Sequence, residues 1–174
     1  MQRRSLIGAL GAFTMRPASA LYDPKPIPFL EAATGTWAGT LTYRDYQKPD
    51  RTVSLKTVMT ATLVAPDELA LYYVFDDGPG KTVYSYERMT FDLAAHRVLW
   101  SSGISKPSRM EYVITAHSAK EGRHALAFET TQDAETQTYA LEFSAKDWLL
   151  TKHESSEGQE KVLRSKYELM KRAG

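Results

Sequence analysis

Tyr84, Tyr86 and Arg88 recur at every second position, a spacing that places them on one face of an extended strand. A guanidinium beside two phenols on such a face can hold a carboxylate through its paired N–H fork; an outward Tyr-Tyr-Arg ladder is the competing arrangement. The opposite face carries Val83, Ser85, Glu87 and Met89. Glu87, with Asp45 and Glu142, is a candidate acid or base, because burial of a carboxyl raises its pKa. Tyr43 and Asp45 share a strand face with Trp37 and Leu41 and can anchor the polar end of a ligand. Trp100 and Tyr112 complete the candidate ligand-binding set of Tyr43, Tyr86, Arg88, Trp100 and Tyr112. The competing role for these aromatics is to fill a core between strands.

Other chemistries lack their residues. No Gly-x-Ser-x-Gly elbow is present, and Ser101-Ser102-Gly103 reads as a strand end. Asp76-Asp77 sits beside Gly78-Pro79-Gly80, as a solvated turn would. No glycine-rich phosphate loop follows a strand and opens a helix. His96, His117, His124 and His153 stand apart, without the spacing of a compact metal site, so no metal is expected. The absence of cysteine excludes thiolate nucleophiles, disulfides and Cys-ligated metal. A net charge of +1 and a pI near 7.9 give no basis for a nucleic-acid partner, which needs clustered Lys and Arg.

The elements that must position these residues are strands. Ten segments rich in Thr, Val, Tyr, Phe and Trp succeed one another: Thr36 to Tyr46, Thr52 to Val64, Glu68 to Phe75, Thr82 to Leu93, His96 to Ser102, Arg109 to His117, Arg123 to Thr130, Thr136 to Ser144, Asp147 to Glu154 and Lys161 to Lys171. Val53, Leu55, Thr57, Met59, Ala61 and Leu63 show the alternation of a half-buried strand. The breaks between segments are short and turn-compatible, which makes successive strands antiparallel, since a parallel pair needs a long crossover. Helix is expected only as one turn at Phe29 to Ala33 and as a brief coil at Ser118 to Gly122. A flat meander of this size would leave two long exposed edges. The expected fold is therefore all-β, a closed antiparallel up-and-down barrel of about eight to ten strands, with a Greek-key sandwich as the alternative.

The first strand reads Gly35-Thr36-Trp37-Ala38-Gly39-Thr40-Leu41-Thr42-Tyr43. Gly-x-Trp opening the first strand after a helical turn resembles the lipocalin-like calycin superfamily. The resemblance implies a barrel whose closed end is plugged by Trp37, with Lys171 or Arg172 of the last strand packed near the indole. Tyr43-Arg44-Asp45-Tyr46 is similar to the segment after that Trp in lipocalin-like bacterial proteins. Gly35, Trp37, Gly39 and Tyr43 also resemble the haem-binding nitrobindin branch. Two features depart from it: Leu41 stands where that branch has a third Gly, and the last strand has no His, the nearest being His153 one strand earlier. Haem is thus an alternative cofactor implied by the resemblance, and no cofactor is the first expectation.

The N-terminus directs the compartment. Arg3 and Arg4 precede an uncharged run from Leu6 to Met15, and Ala18-Ser19-Ala20 forms a small-residue cleavage site, the pattern of a signal peptide. Arg3-Arg4-Ser5-Leu6-Ile7 resembles a twin-arginine export signal. The run is too short to remain as a transmembrane helix, and no later segment supplies one. The expected organisation is a signal peptide at 1–20, a proline-bearing lead-in at 21–34 and a barrel at 35–174. The expected function is a periplasmic or secreted, non-enzymatic barrel that binds a small, largely hydrophobic molecule. The alternatives are an enzyme acting on a barrel-bound molecule, a nitrobindin-like haem protein, or a filled barrel acting as a structural module. Oligomeric state is left open.

Overall fold

Alternating apolar residues and short turns fold the chain into ten antiparallel strands, seen in a computed structural model that describes residues 26–173. A short helix, α1 (Pro28–Ala33), precedes β1 (Gly35–Arg44), β2 (Thr52–Ala65), β3 (Glu68–Asp76), β4 (Thr82–Asp92) and β5 (Arg97–Ser102). Then follow β6 (Ser108–Lys120), β7 (Arg123–Gln132), β8 (Glu135–Phe143), β9 (Asp147–Ser156) and β10 (Val162–Lys171). Each strand pairs with its sequence neighbours, and β1 pairs with β10, with Trp37 opposite Lys171, to close the ring. Closure satisfies both strand edges, which a sandwich would leave exposed. The fold is the expected up-and-down barrel. The signal-peptide pattern and residues 21–25 of the lead-in lie outside the described residues.

The structure departs from expectation in one hairpin. Residues 118 to 120 continue β6 as strand instead of coiling, with Lys120 paired to Arg123. Glu121 (φ 50°) and Gly122 (φ 76°) are both left-handed, the two-residue turn whose twist matches that of its flanking strands. The turn therefore carries the ladder to the hairpin tip.

One end of the barrel is shut by α1. Pro28 begins the helix where its missing N–H costs nothing, and Phe29, Leu30 and Ala33 are buried on the barrel. Phe29 meets Phe91 edge to face at 5.5 Å, and Trp37 packs 5.7 Å from Trp148. Trp37 is completely buried and donates its indole N–H to the Ala33 carbonyl at 3.0 Å, tying the helix to the first strand. Lys171 Nζ lies 5.0 Å from the Trp37 ring centre. Lys171, not Arg172, thus takes the cationic place over the indole. Gly35 makes room for it: at φ 125°, a Cβ there would come within 2.9 Å of the Lys171 side chain. No helix among the described residues is long and apolar enough to cross a membrane.

Candidate functional site

The barrel interior is graded along its axis. Inward residues near α1, among them Trp37, Met59, Leu71, Met89 and Phe91, have essentially no exposed surface. Inward residues toward the other end, Leu41, Leu55, Trp100, Met110, Tyr139 and Tyr167, are only partly buried. Because these side chains point into the barrel, their exposure means that solvent reaches them through the end opposite the helix. That end is the mouth.

Glu87 lies on the floor of this mouth. Parity places it: Met89 and Phe91, two and four positions on in β4, are buried in the core, so Glu87 shares their inward face. Its Oε2 accepts a hydrogen bond from the Trp100 indole N–H at 2.9 Å, and its Oε1 accepts one from the Ser85 hydroxyl at 3.3 Å. None of the ion pairs among the described residues includes Glu87. Burial without a cation pushes its carboxyl up to about 7, against the opposing pull of the Trp100 and Ser85 hydrogen bonds.

Aromatic side chains surround it. Tyr73 and Tyr167 approach with ring centres 5.3 Å apart on one side. Trp100, Tyr112, Phe128 and Tyr139 cluster on the other, with Trp100 and Tyr139 at 4.9 Å and Phe128 stacked on Tyr139 at 5.3 Å. Burial raises the phenols of Tyr73, Tyr112, Tyr139 and Tyr167, and the Glu87 charge raises them further. The Tyr73 hydroxyl is buried and has no hydrogen-bond partner in the protein. An unpartnered buried hydroxyl is costly and calls for an explanation.

A second polar group guards the rim. Lys152 Nζ is 2.7 Å from Glu154, and Arg164 Nε lies 3.5 Å from the same carboxylate. The Arg164 guanidinium stacks 3.6 Å from the Tyr46 ring centre, reaching the β1–β2 loop. Arg164 owes its place to a β-bulge: Leu163 pairs with His153 and Ser165 with Lys152, leaving Arg164 as the extra residue. The two cations share one carboxylate at the rim, so neither neutralises Glu87.

The sequence candidates divide between the two sides of the wall. Trp100 and Tyr112 face inward and touch, with ring centres 6.1 Å apart. Tyr43 sits part-buried near the rim, where it lines a groove with Arg164. Tyr86 and Arg88 are not brought to this cluster. They stand on the outer wall, where Arg88 pairs with Glu68 and Tyr86 lies opposite Tyr72. The same alternation that sends Met89 inward sends Arg88 out. Among the three acid candidates, Asp45 accepts the Gln47 backbone N–H at 2.8 Å as a turn cap, and Glu142 faces Arg123 on the surface at 3.9 Å. Glu87 alone of the three enters the barrel.

Sequence reasoning missed Tyr73, Tyr139 and Tyr167. The signal that finds Tyr73 is its parity with Leu69, Leu71 and Phe75. The residues do not fit haem: His153 lies on the β9 face opposite to inward Lys152 and Glu154, and Leu41 projects inward. No group of three or more His, Asp or Glu among the described residues is placed to hold a metal ion.

No family model matches the chain, and no curated protein sequence does. Solved structures match its fold. The S-type phycobiliprotein lyase CPES from Guillardia theta superposes with a TM-score of 0.56 at 10% identity, over 84% of this chain and 92% of that one. Rv2717c from M. tuberculosis superposes with a TM-score of 0.63 at 12% identity, over 86% of this chain and all of the other. With the closed ring, the helix-capped end and the Trp37 plug, these similarities make the fold a calycin-like ten-stranded barrel.

Proposed function

We propose that the protein is a non-enzymatic binding barrel that takes a small, largely hydrophobic molecule into its mouth, with the molecule's polar end against Glu87. The observation that carries this reading is the polar floor inside an otherwise aromatic interior: a part-buried carboxyl without a cation, next to the fully buried and unpartnered Tyr73 hydroxyl. Apolar walls with a few convergent polar groups are the usual design of a small-molecule site. Extraction of the purified protein followed by mass spectrometry, together with binding of the dye 1-anilinonaphthalene-8-sulfonate, tests it. A bound small molecule, or a dye signal that Trp100→Ala reduces while the barrel stays folded, supports it. A folded protein that yields no small molecule and no dye signal overturns it.

One observation favours a second reading, acid–base catalysis on the bound molecule: Glu87 titrates near neutral pH, where a catalytic carboxyl is most effective. Product formation from a bound molecule, abolished in Glu87→Gln, would replace the binding-only reading. Export to the periplasm or beyond is part of the proposal and rests on residues 1–20. Retention of the unprocessed chain in the cytosol of a native-like host would remove it.

A further inference from the structure

We infer that the polar end of the ligand is a protonated nitrogen, held by the Glu87 carboxylate among the aromatic side chains around it. The inference rests on the binding-barrel reading above and names the ligand class of that site.

Charge is the first argument. An ionised carboxylate inside a protein needs a compensating cation, and Glu87 has only the neutral donors Trp100 and Ser85. The interior cations nearest the mouth, Lys152 and Arg164, both turn to Glu154. The protein therefore supplies the anion of an ion pair and leaves its cation to be brought in. The walls agree with that sign. Tyr73, Tyr139 and Tyr167 are aromatic rings of the kind whose faces attract cations, while Trp100 turns its indole N–H edge to Glu87. The Tyr73 hydroxyl supplies the third argument. In the β3–β4 ladder Leu71 pairs with Glu87 and Tyr73 with Ser85, so Tyr73 is a diagonal neighbour of Glu87 on the same face. Its buried oxygen has free lone pairs and no donor, and each Glu87 oxygen keeps a lone pair beyond its present bond. A protonated amine carries several N–H donors and satisfies both residues together. A ligand carboxylate would instead meet the like charge of Glu87.

Proton linkage follows from the same contacts. Glu87 is ringed by Tyr73 from β3, Tyr112 from β6, Tyr139 from β8 and Tyr167 from β10, with Lys152 and Glu154 of β9 toward the rim. The four phenols keep their protons at neutral pH, so Glu87 is the group there that titrates near 7. An arriving cation stabilises the carboxylate and expels its proton.

The experiment compares three probes with one ring and different polar ends: 2-phenylethylamine, 2-phenylethanol and phenylacetate. Each is titrated calorimetrically into the full chain, in two buffers of different ionisation enthalpy. The amine is expected to bind about tenfold or more tightly than the alcohol, as a charge-assisted bond does against a neutral one, with proton release near pH 7. Glu87→Gln, shown folded by circular dichroism, should erase that advantage. Tyr73→Phe, which removes only an unpartnered hydroxyl and so keeps the fold, should shrink it, and it decides the matter if Glu87→Gln does not fold. An alcohol that binds as well as the amine, or a phenylacetate that binds best, overturns the amine inference while leaving the binding barrel standing. Failure of all three probes together with the dye overturns the barrel reading itself.

Discussion

Replacing Glu87 by Gln should stabilise the folded barrel at neutral pH and flatten its pH dependence. The carboxyl has an ordinary pKa near 4.5 in the unfolded chain and is pushed up to about 7 in the barrel. Between those values the unfolded chain releases its proton first while the folded chain keeps it. The folded state then binds more protons, and stability falls as pH rises. Below about pH 4.5 both states are protonated and no penalty exists; above about 7 both are ionised and the penalty is complete. At about 1.36 kcal/mol per pH unit, the displacement amounts to about 3 kcal/mol at pH 8. Gln keeps an oxygen to accept from the Trp100 indole N–H, its amide N–H can donate to the Ser85 hydroxyl in place of the second carboxylate oxygen, and it never ionises. Urea denaturation of both proteins, in steps from pH 4 to 8, gives the difference curve. That subtraction cancels groups such as Asp147, whose carboxyl is held low by Ser144 and Arg123 and loses its contribution only in acid. The variant should match the parent near pH 4 and exceed it by about 3 kcal/mol at pH 8. Parallel curves across this range would refute the placement of an uncompensated carboxyl in the barrel.

Two further outcomes test the wall. A Cβ at Gly39 would lie 2.0 Å from the Glu168 carbonyl oxygen and 2.9 Å from the Leu169 Cα, so Gly39→Ala must push the β1 and β10 backbones apart at the closing seam. It should lower stability by about 3 kcal/mol, read as a reduced urea midpoint, because backbone gives way less readily than a side chain. In the β7–β8 hairpin, Asp133 and Ala134 form a two-residue turn at φ 49° and 66° between paired Gln132 and Glu135. Ala134→Gly should raise stability by about 1 kcal/mol, measured by thermal melting, because a left-handed alanine costs about that much; an unchanged or lower midpoint would contradict the turn assignment.

Alternation made most of the wall legible, since a period of two assigns a face to every residue once one residue is placed. The plug was legible by another route: the resemblance carried by a nine-residue segment implied Trp37 and a cation from the last strand, Lys171 or Arg172, and Lys171 takes that place. Alternation did not say which face of β4 turned inward. The polar residues Tyr84, Tyr86 and Arg88 on one side and Glu87 on the other were equal contenders until Met89 and Phe91, buried at the helix-capped end, decided the parity. Arg164 was beyond the reach of alternation. The bulge between Leu163 and Ser165 resets the period by one residue, so Arg164 turns to inward Glu154 while Tyr167 and Leu169 also point into the barrel. A bulge has no reliable signature when neither flanking residue is glycine. Closure itself followed from edges, but the surroundings of Glu87 also draw on β6, β8 and β10, which no local pattern brings to β4.

The gradient inside the barrel ties stability to function. The helix-capped half contains the Trp37, Trp148, Phe91 and Phe143 packing, where full burial of each large side chain contributes about 1.5–3 kcal/mol. That reserve lets the mouth half carry groups that oppose folding: an uncompensated carboxyl, an unpartnered phenol and a bulged arginine. A barrel that served only as a structural module would gain by replacing Glu87 and Tyr73 with Gln and Phe, since both changes relieve buried polar groups without losing an apolar contact. Both residues instead sit on one face, on adjacent strands, Glu87 part-exposed toward the mouth and Tyr73 buried beside it. A ligand of the proposed kind, bringing a cation and hydrogen-bond donors, would remove both penalties at once, and its binding free energy would include relief of a cost the barrel already carries.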